Sequence, residues 1–207
     1  MMISPKADIE FLLPSSDQDR SRYFRLLGLL PLLFFLAQGI HYWRINELGH
    51  MLWICNIANL VLAVGLFRNH VTLIRIATLW MIPGLVVWFL YVVLAWGVFL
   101  TSTLAHVGGV LVAMLALRKI GMDRHSWLYS VGGYLVVQLL SRPLTPVAFN
   151  VNLSQAVYDG WETSFDSYWT FWLVSTFVAA MILWGVGIVL RKLWPASSPL
   201  QLTVAAR

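Results

Sequence analysis

The chain of 207 residues is 59% hydrophobic and only 11% charged, with a mean hydropathy of +0.76 and a formal net charge of +5. Soluble domains carry about 25% charged residues, so this composition points to an all-α, polytopic membrane protein. The single cysteine excludes an internal disulfide and a Cys-rich metal site, and no zinc-finger spacing or basic–aromatic patch suggests nucleic acid as a partner.

Residues 1–22 carry Asp, Glu, Ser and Pro and are expected to stay outside the bilayer as a cytoplasmic tail. They lack the layout of a signal peptide, in which a basic tip runs directly into a short apolar core. A transmembrane domain is expected over 23–190. Each span needs roughly 20 mostly apolar residues to cross about 30 Å of hydrocarbon. The apolar runs place six spans at about 23–40, 51–67, 71–88, 100–117, 127–140 and 168–190. The first ends at an aromatic boundary, Tyr42 and Trp43. The third is expected to bend near Pro83 and Gly84. The apolar stretch 89–99 reads as helix extension plus a buried connection. Residues 191–207 form a second cytoplasmic tail, and WPASSPLQLTVAAR within it reads as poorly ordered.

The basic residues fix an orientation. With six spans and the N-terminus inside, Lys6, Arg20, Arg22, Arg25, Arg68, Arg75, Arg118, Lys119, Arg124, Arg191, Lys192 and Arg207 fall on the cytoplasmic side. Arg44 and Arg142 alone fall on the other. That asymmetry follows the positive-inside rule, and the net charge then reflects topology and anionic headgroups. The loop between spans five and six, SRPLTPVAFNVNLSQAVYDGWETSFDSYW, is long and too apolar for disorder. It is expected to fold back onto the bundle or lie in the interface, with Asp159, Glu162 and Asp166 giving it an acidic outer surface.

Polar groups at membrane depth are costly and tend to face the bundle interior or a cavity. They are Gln38 and His41 in span one, Cys55, Asn56 and Asn59 in span two, Ser102, Thr103 and His106 in span four, and Gln138 and Ser141 in span five. Spans two and four enter from the same side. Cys55 and His106 then lie roughly 6–9 Å below the outer boundary at 1.5 Å per residue. A shared depth is the minimum geometry for a nucleophile and its base. Ser102 and Thr103 fall on the His106 face and either could orient the ring or serve as a hydroxyl nucleophile. Asn59 falls on the Cys55 face, where an amide donates to an oxyanion or locks helix packing. The plain alternatives are packing for Cys55, interhelical hydrogen bonding for Asn56 and Asn59, a structural hydrogen bond for His106, and interfacial belts for the tryptophans.

The segments ELGHMLWICNIANLVLAVGLF, IRIATLWMIPGL and LTSTLAHVGGVLVAML, with the later FNVNLSQAVYDGWETSFDSYWTFW, resemble the YwaF-like integral membrane protein family. These are bacterial relatives of transmembrane protein 164 and, more distantly, of the androgen-induced-gene membrane hydrolases. The family pattern sets a cysteine early in one span about fifty residues before a histidine early in another; Cys55 and His106 are 51 apart. The resemblance covers about residues 45–190. The chain departs from the pattern at Trp53, where the family usually carries a histidine.

The resemblance implies acyl transfer or hydrolysis on lipids, with Cys55 as acyl-accepting nucleophile and His106 as general base. Asn59 and Ser102 would position the substrate and Arg142 would meet a headgroup phosphate. No cofactor or metal is called for; the expected partners are membrane lipids, and the expected location is a bacterial inner membrane. Two non-enzymatic expectations compete: an accessory subunit of a larger pigment- or quinone-containing membrane complex, and a haem-binding span set using His41, His50 and His106. A transporter finds no buried ion pair or repeated broken helices in the sequence to support it.

Overall fold

The computed structural model describes residues 17–95 and 99–196. It is helical throughout these residues, apart from turns and one isolated bridge. The main helices are α1 (Asp17–Arg44), α2 (Ile54–Phe67), α3 (Val71–Ala95), α4 (Leu100–Ile120), α5 (Ser126–Leu144) and α6 (Tyr168–Leu193). Each apolar run in the sequence corresponds to one of them. Asp19–Arg44, Val71–Leu94, Leu100–Ile120 and Tyr168–Leu193 are long and apolar enough to cross a membrane, which suggests a membrane protein. The 14 residues of α2 reach only about 21 Å.

Helices approach closely where side chains are small, which drives association when no water is present to be expelled. Ala58, Leu62 and Leu66 of α2 meet Ile74, Ala77 and Met81 of α3 and Ala113, Ala116 and Leu117 of α4 in one buried cluster. A Cβ on Gly65 would sit 3.0 Å from Ile74, and one on Gly28 3.1 Å from Leu66. By contrast α6 is buried over only 11% of its most apolar window and presents Leu173, Phe177, Val178 and Met181 outward.

Hydrogen bonds gather the basic segments at one end of the bundle. Asn69 Nδ2 donates to Ser21 Oγ at 3.0 Å. Arg75 Nε donates to Gly121 O at 2.7 Å and Nη2 to Ile120 O at 3.2 Å, while Nη1 pairs with Asp123 Oδ2. One guanidinium thereby satisfies carbonyls left over at the C-terminus of α4. The other Asp123 oxygen accepts from the His125 and Ser126 N–H groups at 2.7 and 2.8 Å, opening α5. Burial alone would raise the Asp123 pKa; these two N–H groups and Arg75 outweigh it and hold the carboxyl below its ordinary value.

Three expectations change in detail. Helix α1 begins at Asp17, ahead of the expected end of the tail at residue 22. The stretch after Trp88 extends α3 to Ala95, but Phe89, Leu90, Tyr91, Val93, Leu94 and Phe99 are exposed, not buried. An apolar helix end needs no protein cover where lipid supplies it. Within the expected disordered tail, Trp194 O accepts from Met122 N–H at 2.7 Å and the Ala196 N–H donates to Met122 O at 3.2 Å. The rest of that tail, residues 197–207, lies outside the described residues, as do residues 1–16 and 96–98.

Candidate functional site

Helix α2 starts without a side-chain cap of its own, since Trp53 offers none. Asn152, from the connection between α5 and α6, supplies it. Its Oδ1 accepts from the Ile54 N–H at 2.9 Å, and its amide donates to Leu52 O at 2.8 Å and Ser141 Oγ at 3.2 Å. Its own carbonyl accepts from Gln138 Nε2 at 3.0 Å. Asn152 stands at φ 55°, in the left-handed region that asparagine tolerates better than most residues, and is 3% exposed. The connection thus carries a buried polar clamp, flanked by the fully buried Val151 and Ser154.

Cys55 follows in the first turn, a half-buried free thiol. A Cβ on Gly84 would lie 3.3 Å from the Cys55 Cβ, so this side of α2 meets α3 at its one glycine, next to Pro83. From α1, Tyr42 stands one turn after Gln38, with its ring 5.4 Å from that of His50.

His106 occupies a π-helical turn, Leu104–Gly108, inside α4. Its Nδ1 is 2.8 Å from Ser102 O and 3.4 Å from Ser102 Oγ. A carbonyl oxygen only accepts, so Nδ1 carries the proton and Nε2 keeps its lone pair. The ring stacks on Trp88 of α3, centroids 5.4 Å apart and planes 15° apart. The Trp88 indole N–H donates to Ser102 Oγ at 2.9 Å. Ser102 and Trp88 therefore fix both tautomer and orientation of the imidazole.

Gly84 and Trp88 are four residues apart and share one face of α3. Cys55 and His106 thus address the same helix face about one turn, or 5.4 Å, apart. Asn59, fully buried, ties the two segments together: its amide donates to Cys55 O at 3.1 Å and to Ala105 O at 3.0 Å. In the π turn the Gly109 N–H bonds to Leu104 O and His106 O, passing over Ala105 O. Asn59 gives that skipped carbonyl its donor. No hydrogen bond joins Cys55 to the His106 ring among the described residues.

The remaining candidates are committed elsewhere. Thr103 Oγ1 donates to Phe99 O at 3.1 Å. The Arg142 guanidinium lies over the Tyr168 and Trp169 rings, 5.1 and 4.8 Å from their centroids. His41 packs on Phe99. His50 stacks on Phe149 at 4.3 Å, while its Nδ1 accepts from the Trp53 indole N–H at 3.0 Å and its Nε2 faces Glu47 at 3.4 Å. Burial lowers the His50 pKa against the opposing pull of Glu47. Among the described residues no group of three His, Cys, Asp or Glu side chains could hold a metal ion.

An open apolar groove of about 390 Å³ lies between α1 and the Leu48–Leu52 turn, lined by Phe35, Leu36, Gly39, Ile40, Trp43 and Met51 among others. Asn152, Trp88 and Tyr42 are the residues that sequence reasoning did not single out for the site. Only the loop's apolar asparagine-containing start, FNVN, hinted at the first. Comparison with family models, curated proteins and solved structures finds no match to this chain.

Proposed function

We propose that the chain is a six-span membrane enzyme that transfers or hydrolyses lipid acyl groups, with Cys55 as nucleophile and His106 as general base. The carrying observation is the Asn59 amide, which bonds the backbone of Cys55 and of the His106 turn at once. It keeps both residues at one level of the bundle. The held Nδ1 proton supports the same reading, because it leaves His106 Nε2 as the basic nitrogen.

In the first half-reaction the Cys55 thiol gives its proton to His106 Nε2 as sulfur bonds to the acyl carbonyl carbon. The tetrahedral intermediate then collapses to a thioester, and the leaving alkoxide takes the proton from Nε2. In the second half, water or an alcohol loses its proton to Nε2 and attacks the thioester carbon; collapse breaks the carbon–sulfur bond, releases the acid or ester, and the thiolate takes the Nε2 proton back. The apolar groove beside α1 suits an acyl chain. The basic end of the bundle supports a cytoplasmic location for both termini, and the family resemblance favours a bacterial inner membrane. Measured lipid acyl exchange or hydrolysis should disappear in Cys55→Ala and His106→Ala; equal activity in wild type and both variants sinks the reading.

The accessory-subunit reading draws support from the packing of Cys55 on Gly84 without a bond to His106. Co-purification in a stoichiometric complex, with Cys55→Ala fully tolerated, would favour it.

A further inference from the structure

The open groove of about 390 Å³ beside α1 has apolar walls on both sides. Phe35, Leu36, Gly39, Ile40 and Trp43 form one wall at the spacing of a single helix face. Leu48 and Met51 of the turn that follows form the other. From Phe35 to Trp43 the groove runs about 12 Å along the helix, at 1.5 Å per residue. That is most of one leaflet of a hydrocarbon core about 30 Å thick. Its volume is that of a site for one small ligand, about 300–1,000 Å³. Length and volume together match one acyl chain drawn from one leaflet.

Gly39 gives the groove its depth. A Cβ there would meet Met51 Cε at 3.6 Å and Sδ at 3.9 Å, which is ordinary contact, so any side chain longer than alanine must enter the space. Arg44 closes the row. It follows Ile40 by one turn and continues the Leu36–Ile40 line past Trp43. Arg44 is exposed and has no carboxylate partner among the described residues, while Glu47 faces His50 Nε2 at 3.4 Å. The span order sets only one other arginine or lysine at this end, Arg142, and its guanidinium lies over Tyr168 and Trp169. A single free cation at the mouth of an apolar groove complements an amphiphile with an anionic head and one apolar tail. Guanidinium matches phosphate oxygens bidentately, and an acyl chain asks no polar group of the walls.

We propose that this groove holds one phospholipid, with an acyl chain along α1 and the phosphate paired to Arg44. The inference concerns binding and goes beyond the acyl-transfer reading, since it stands whether the lipid is consumed or resident. The bound chain ties α1 to the Leu48–Leu52 turn, which leads directly into α2.

The test uses the full chain in detergent, with bound lipid counted by native mass spectrometry. Dioleoylphosphatidylglycerol is titrated against dioleoylglycerol, which has the same chains and no phosphate. Wild type should hold one phosphatidylglycerol about tenfold more tightly than the diacylglycerol, the scale of one charge-assisted hydrogen bond. Arg44→Gln should abolish that preference and leave diacylglycerol binding unchanged; Arg44→Lys should restore part of it. Gly39→Phe should weaken both lipids by about tenfold or more, because its ring occupies the groove. Val178→Phe, on the outward face of α6, should weaken neither. Absence of the phosphate preference in wild type, or its survival in Arg44→Gln, overturns the proposal. Binding of both lipids within about threefold of wild type in Gly39→Phe also overturns it, as does equal weakening in Val178→Phe, since lipid then coats the bundle without a site. Arg44 is exposed, so its variants decide the matter even where Gly39→Phe fails to fold.

Discussion

Substituting Asn152 by Ala tests whether one loop residue holds the start of α2 in place. The change deletes the acceptor of the Ile54 N–H and the donors to Leu52 O and Ser141 Oγ, at 2.9, 2.8 and 3.2 Å. Ser141 retains its bond to Val137 O at 2.8 Å, so the loss falls on the two backbone groups. Leaving each part-buried group unsatisfied costs about 1–2 kcal/mol. Alanine held at the left-handed φ of 55° adds roughly 1 kcal/mol. The sum is about 3–5 kcal/mol, read by reversible unfolding in mixed micelles. Amide exchange at Ile54 should quicken in step. Asn150→Ala is the control for the cap itself: Asn150 is also left-handed, at φ 38°, but its side chain hydrogen-bonds Gln155 and Ala156 inside the connection, so Ile54 exchange should stay unchanged. A loss under about 1 kcal/mol for Asn152→Ala, with Ile54 exchange unchanged, refutes the clamp.

Further tests concern charge and packing. The Trp53 indole only donates, so His50 is bound in its neutral form; with its pKa lowered in the fold, its contribution is full above about 6.5 and is lost as pH falls through the native value. Equilibrium unfolding measured across pH should show that acid-side loss, and His50→Gln, whose amide oxygen still accepts from Trp53, should flatten it. Arg75→Met strips donors from Gly121 O and Ile120 O and the partner from Asp123, which should cost about 2–4 kcal/mol in equilibrium unfolding. Asp123 stabilises above its ordinary pKa and loses that contribution as pH falls through its lowered native value; in Arg75→Met the acid transition should move to higher pH. Gly109→Ala drives a Cβ to within 2.6 Å of Asn59 Oδ1 and should cost about 1–3 kcal/mol in the same measurement. Gly132→Ala, with nothing within 4 Å of its Cβ, should be neutral or slightly stabilising.

The helices were legible because apolar runs and basic punctuation are local properties of the chain. Thus Arg68, Arg118, and the Arg191–Lys192 pair each mark a helix end that the structure places at or beside Phe67, Ile120 and Leu193. What stayed hidden was pairing across elements. Nothing in FNVNLS announces that Asn152 caps a helix some hundred residues earlier, because the cap depends on a left-handed backbone and on where the loop lands. Tyr42 reads as one more interfacial aromatic, and only the fold brings its ring to 5.4 Å from that of His50. Trp88 and Ser102 are separated by an apolar stretch without punctuation, so their hydrogen bond and its hold on His106 could not be inferred from spacing. Cys55 and His106 were placed at a common level by counting residues from helix ends; Asn59 provides the physical link at that level.

The π turn at Leu104–Gly108 amounts to one extra residue wound into α4. One residue is worth roughly 100° of rotation in an α-helix, so the segment before the turn is indexed out of step with the segment after it. Beyond it, Gly109, Val112, Ala113 and Ala116 run as an uninterrupted stripe into the core. Before it, Ser102 points towards Trp88, and His106 within it stacks on the same indole. Deleting a single residue here would restore a uniform helix and force one set of side chains off its partners. The turn is what allows one helix to serve two neighbours whose demands on a regular spiral are incompatible.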